Sequence, residues 1–215
     1  MKARRMNLSI IIFILLFLMS PTPWTLLFNF SRLSKAEINF YKFNSPVFIS
    51  EINFTRGQIK EAGIAIYGKI FINKFTYFMK DAGQRYLESF DSHFLFTQGD
   101  LSIEKSTRNS GPIYWIWLPF LGYGFYLCYK NRSKILVFVL LLPILGILIR
   151  EEYETFSRLP FIIGMYYIVG LGVTEFFNKK KYYWTKALVL ILLVFEYSRF
   201  LHYLLLHYPY LVGRY

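Results

Sequence analysis

The chain has 215 residues and a net charge of +12, and it is 55% hydrophobic and 21% aromatic. Ordinary soluble domains are about 45–50% apolar, and the Lys and Arg residues here stand in short clusters between hydrophobic runs, with no basic stretch long enough to follow a nucleic-acid backbone. These figures exclude an ordinary soluble domain and a nucleic-acid partner, and they predict an α-helical integral membrane protein in contact with the lipid bilayer.

Residues 1–22 are the first predicted element, an N-terminal transmembrane anchor. Lys2, Arg4 and Arg5 precede an apolar run from Leu8 to Ser20, which must be helical because hydrocarbon offers the backbone no hydrogen-bond partners. A basic start before IIIFILLFLM also suits a secretory signal peptide. The following SPTPW has no small-x-small cleavage site, and proline just beyond a helix is a common stop, so the segment is expected to remain as an anchor.

Residues 23–112 form the one sizeable polar region. AEINFYKFNSPVFISEINF mixes aromatic and β-branched residues with turn formers, a composition suited to short strands. From Ile59 to Phe90, the residues Ile66, Ile70, Phe71, Phe75, Phe78, Met79 and Tyr86 recur at helical spacing opposite Lys69, Lys74, Lys80 and Arg85. Such a helix either packs on its own domain or lies on a membrane surface. Asn29-Phe30-Ser31 and Asn53-Phe54-Thr55 fit the glycosylation acceptor pattern.

Residues 113–215 are a predicted four-helix transmembrane region, with spans from Ile113 to Tyr129, Ile135 to Ile149, Phe161 to Phe177 and Ala187 to Tyr203. About 20 apolar residues cross a bilayer core, so the shorter spans need their flanks. Five spans in all, with an extracytoplasmic, mainly helical domain between the first and second, are therefore expected. Lys130, Arg132 and Lys134 join the second span to the third, and Lys179, Lys180, Lys181 and Lys186 join the fourth to the fifth, with no acidic residue in either loop. The positive-inside rule puts these loops and the N-terminus in the cytoplasm, and residues 23–112 outside a multi-pass cell-membrane protein. The single cysteine, Cys128, lies in an apolar run and reads as a small packing residue.

No motif for unaided catalysis is present: no Walker loop, dinucleotide fingerprint, nucleophile elbow or metal-spaced histidine pair, so neither a metal nor another cofactor is expected. His93, His202 and His207 are scattered, and the last two, five apart, do not share a face of an α-helix. Glu196 and Arg199, three apart in the last span, form a candidate intramembrane charged pair: an internal ion pair that lowers the cost of burial, a contact to a cavity or partner, or charges at the interface if the helix exits early. The loop REEYETFSRLPF carries Glu151, Glu152 and Glu154 with Arg150 and Arg158; Arg158, just before Leu159-Pro160, is placed to meet an anionic lipid headgroup, because guanidinium binds phosphate through two parallel hydrogen bonds.

The order of these parts is distinctive. INKFTYFMKDAGQRYLESFDSHFLFTQGD, a charged stretch, GPIYWIWLPFLGYGFYLCYK, a proline-containing span and a loop ending in SRLP follow one another. From about residue 57 to 175 this order resembles the C-terminal half of bacterial GT-C superfamily glycosyltransferases, in the branch related to protein O-mannosyltransferases. The structural motif is Phe94, Leu95, Phe96, Gly99 and Asp100; Tyr86, Leu87, Phe90, Asp91, Gly111, Leu118-Pro119 and Arg158 also match. Relatives often carry Arg-His-Ser after Gly-Asp, where this chain has Glu104-Lys105-Ser106.

The resemblance implies transfer of a sugar from a polyprenyl-phosphate donor at the outer membrane face, with Arg158, Lys105 and Arg108 as donor-phosphate candidates. It also implies acidic catalytic residues in a first outside loop, and Pro23 to Phe30 contains no carboxylate. The chain is thus expected to be either a truncated transferase or the partner of a separately encoded catalytic half, and to be inactive alone. The alternative is a non-enzymatic membrane subunit whose outside domain binds a partner protein.

Overall fold

The computed structural model describes residues 2–29, 39–40, 46–61, 63, 71–100, 106–150, 154–179 and 183–213. Helix dominates throughout. α1 (Lys2–Leu18) is followed by α2 (Pro21–Phe28), and their axes bend by 49°. Pro21 does end the first helix, but by starting a second, because a first-turn proline lacks only an N–H that would have no helical partner.

Among its described residues, the segment suited to strands is mostly helical. β1 is the two residues Asn39–Phe40, paired antiparallel with β2 (Ile149–Arg150), and α3 runs from Pro46 to Glu61. Pro46 at the first helical position starts α3 despite the β-branched residues that follow. α4 (Lys74–Glu88) covers the second half of the amphipathic pattern; Lys69, Ile66 and Ile70 lie outside the described residues. Its start is fixed by a reciprocal cap: the Asn73 side chain accepts from Thr76 N at 2.9 Å, and Thr76 Oγ1 accepts from Asn73 N at 3.1 Å.

A π-turn (His93–Thr97) and a 3₁₀ turn (Trp115–Trp117) lead to α5 (Leu118–Lys130), α6 (Lys134–Leu148), α7 (Glu154–Asn178) and α8 (Tyr183–His202). A second π-turn (Tyr203–His207) joins α8 to α9 (Tyr208–Val212). Every apolar run noted in the sequence is helical. Two stretches, Thr155–Asn178 and Tyr183–Leu211, are long and apolar enough to cross a bilayer, and the bent α1–α2 pair is a third if taken as one span. Lys134–Ile147 is apolar but shorter.

α7 is the hub, packed against α5, α1 and α6. Glycines allow the close approach: a Cβ at Gly172 would stand 3.0 Å from the Phe120 carbonyl carbon, and one at Gly124 would stand 2.8 Å from Ile168 Cγ2. Phe161, Ile162, Tyr166, Ile168 and Val169 on α7 are fully buried. By contrast, α8 leaves Leu188, Ile191, Val194 and Phe195 exposed, the surface expected of a helix that faces lipid.

Candidate functional site

The site grows from the turn that follows α4. Phe94, Leu95 and Phe96 of the π-turn are buried in the core, and the Ile113 N–H donates to the Leu95 carbonyl at 2.9 Å. Gly111 sits so close that a Cβ would meet Phe96 N at 2.5 Å, so no larger residue fits. Gly99 then takes a positive φ of 71°, a conformation that suits glycine, and turns the chain inward. Asp100, 2% exposed, is thereby delivered to the start of α7, where its Oδ2 accepts the Thr155 N–H at 2.7 Å. A carboxylate against free N–H groups at a helix start is favoured by hydrogen bonding and by the helix dipole together.

One turn later α7 presents Arg158. It is 5% exposed, its guanidinium lies 4.8 Å from the centre of the Phe94 ring, and its Nη2 donates to Glu88 Oε2 at 3.1 Å. Gln84 holds the other oxygen of Glu88 at 2.9 Å, and Arg85 pairs with Asp81 at 3.1 Å, one turn apart on α4. These groups, with Ser89, Ser157 and the α6 residues Pro143, Gly146 and Ile147, line a cavity of about 250 Å³. Gly146 permits the close approach of α6 to α7, since a Cβ there would stand 2.9 Å from the Ser157 carbonyl oxygen. Pro143 lacks an N–H and loosens the turn of α6 before it; in that turn the Tyr86 hydroxyl donates to the Leu140 carbonyl at 3.1 Å.

The pocket thus holds two guanidiniums, two carboxylates, an amide and two hydroxyls around a wall of α6. Such a lining can bind an anionic or hydroxyl-rich ligand by exchanging internal ion pairs for ligand hydrogen bonds. Asp81, Gln84, Arg85, Glu88 and Ser89 were not anticipated from sequence. The available signal was the i, i+4 pair Asp81/Arg85 on the polar face of the amphipathic helix, which resembles any solvated charge pair.

The remaining candidates are dispersed. Lys105 lies outside the described residues, and Arg108 is exposed, with φ 54° and its N–H on Ser106 Oγ, away from the Arg158 pocket. Glu196 faces the N–H of Ile116 in the 3₁₀ turn ahead of α5, and its Oε2 is buried without a partner. Arg199 is exposed; its charge acts on Glu196, but no ion pair joins them. Free N–H groups at a helix start thus give the carboxylate a second partner beside the charge expected from sequence.

His202 and His207 were not expected to share a face, yet their ring centroids are 5.5 Å apart. The π-turn between them adds a residue per turn and brings i and i+5 together. Among the described residues no group of three or more metal-binding side chains forms. Asn29, in the first glycosylation pattern, is 2% exposed and hydrogen-bonded to the Tyr208 hydroxyl, whereas Asn53 is exposed.

Comparison of the chain with protein-family models, curated proteins and solved structures finds no match.

Proposed function

We propose that the chain is the C-terminal membrane portion of a glycosyltransferase that uses a polyprenyl-phosphate-linked sugar. The observation that carries this reading is the set of contacts around Arg158: Phe94 lies against its guanidinium, Asp100 caps the helix that bears it, and Glu88, itself held by Gln84, pairs with it in a polar cavity of about 250 Å³. Of the motif residues that suggested the family, Phe94 touches this cation and Asp100 holds the helix that carries it. A phosphate monoester or diester entering the cavity takes over the Arg158 N–H groups from Glu88, with Arg85 as the second guanidinium.

The topology of this reading is five spans, with the N-terminus in the cytoplasm and the pocket on the outer face. Acidic catalytic groups come from an N-terminal half. Binding of a polyprenyl phosphate to the full chain in lipid nanodiscs is the test. Arg158→Ala is expected to weaken it about tenfold or more, in keeping with loss of a charge-assisted pair, and equal binding by the variant sinks the assignment. Sugar transfer by the purified chain alone would overturn the dependence on a second half. A cysteine placed at Ser157 should react with an impermeant reagent from outside, and one at Ser133 should not; the reverse pattern overturns the topology.

A further inference from the structure

α4 and the turn after it carry one continuous apolar stripe: Phe75, Met79, Ala82 and Tyr86 on the helix and Phe90 just beyond it follow at steps of four, three, four and four, the spacing of a single helix face. The stripe changes environment along its length. Its second half is docked, because the Tyr86 hydroxyl reaches the Leu140 carbonyl of α6 and the Phe90 ring stacks edge-on against Phe161 of α7 at 4.9 Å. In its first half the stripe is open although α3 packs elsewhere on this end of the helix, and Phe75 and Met79 are 68% and 53% exposed, with Phe71 just before the helix also exposed.

The element it docks on shows what covers the rest. α6 is apolar along its whole length, and Val137, Phe138, Leu141, Ile144 and Leu145 are exposed on it. Leu140 lies well inside that helix, so Tyr86 enters at the depth of the hydrocarbon-facing side chains and the stripe is continuous with them. The charges of α4 agree with this placement. Asp81 and Glu88 are paired with Arg85 and Arg158, while Lys80 is exposed beside Met79, flanking the bare apolar half. Aromatic and thioether side chains below a flanking lysine match a bilayer interface with anionic headgroups.

We propose that the first half of α4 lies in the interfacial layer of an anionic bilayer, with Phe71, Phe75 and Met79 among the upper acyl chains and Lys80 at the headgroup phosphates. The polar pocket on the other side of α4 is thereby held at headgroup level. The proposal rests on the membrane-spanning reading of α7 and α8 and needs no glycosyltransferase activity.

The test uses the full chain in nanodiscs containing phosphatidylglycerol, with Cys128→Ala and a single fluorophore-labelled cysteine at position 75, 79, 84 or 194. Quenching by lipids that carry a nitroxide near the top of the acyl chain is compared with quenching by aqueous iodide. The expected result is a lipid-quenched signal, reduced roughly twofold or more, at Phe75→Cys, Met79→Cys and Val194→Cys. Gln84→Cys, on the opposite face, should respond to iodide instead. If position 194 is lipid-quenched but 75 and 79 respond to iodide alone, the helix stands in water and the proposal is overturned. Protection of 75 and 79 from both quenchers would mean that a protein covers the stripe, which also overturns it. Loss of lipid quenching at 194 as well would remove the spanning reading beneath it.

Discussion

Asp100 and Thr155 are 55 residues apart in sequence, and the Asp100 carboxylate accepts the Thr155 N–H at 2.7 Å. This bond joins the Gly-Asp turn to the helix that carries Arg158, so the position of the cation depends on a residue that does not touch it. Asp100→Ala is expected to cost about 1–2 kcal/mol, the usual range for a lost helix cap, and to lower the melting temperature in detergent. Asp100→Asn should retain most of the stability. Equal melting of Asp100→Ala and the parent chain would show that the cap is idle.

Glu88 and a ligand phosphate compete for Arg158. Glu88→Gln should therefore raise the affinity for a soluble short-chain prenyl phosphate, by about fivefold if one charge-assisted hydrogen bond is released. Arg158→Ala should lower stability more than Glu88→Gln does, because it leaves a half-buried carboxylate without its cation. A double-mutant cycle on thermal unfolding measures the coupling, and a value near zero would rule out the pair as a structural tie.

Gly124 and Gly172 set the distance between α5 and α7. Ala at either position forces a methyl group against a neighbouring backbone and should cost about 2 kcal/mol or more. Gly122, on the same helix as Gly124, has nothing within 4 Å of an added Cβ. Gly122→Ala should stabilise the chain by about 0.5–1 kcal/mol, since glycine is a poor helix residue. The three melting curves test the packing together, and a loss at Gly122 equal to that at Gly124 would refute it.

Thr22 Oγ1 and Thr155 Oγ1 are buried without a protein partner, and both residues line a cavity of about 10 Å³ shared with Asp100, Thr107 and Ser110. That is close to the space one water needs, and the lining supplies enough polar partners to hold it. Thr22→Val and Thr155→Val should each cost about 1 kcal/mol, and the double variant less than the sum, because both act through the same water. Strict additivity would exclude a shared partner.

The apolar runs made the helices legible, since five segments that hydrophobicity marked are all helical. Their ends were less legible. α7 begins at Glu154, well before the apolar stretch from Phe161, because Asp100 caps it from a distant turn that no local pattern reveals. The turn function of Gly99 was readable from glycine chemistry alone, whereas the pairing of Glu88 with Arg158 depends on the packing of α4 against α6 and α7. Glu196 illustrates the same limit: its spacing from Arg199 was correct on the helix, but the backbone N–H of Ile116 that it also meets comes from another element.

The π-turn at Tyr203–His207 places one extra residue in the final helical stretch. Beyond it Tyr208 is completely buried, with its hydroxyl on Asn29 and its ring against Phe28 of α2. Were all five residues of YLLLH wound as ordinary α-helix instead, Tyr208 would swing by about 100° around the axis, out of its socket. Substitutions along the exposed side of this turn are therefore far easier to accommodate than a change in its winding: the two stretches are mated like a key that enters at one angle.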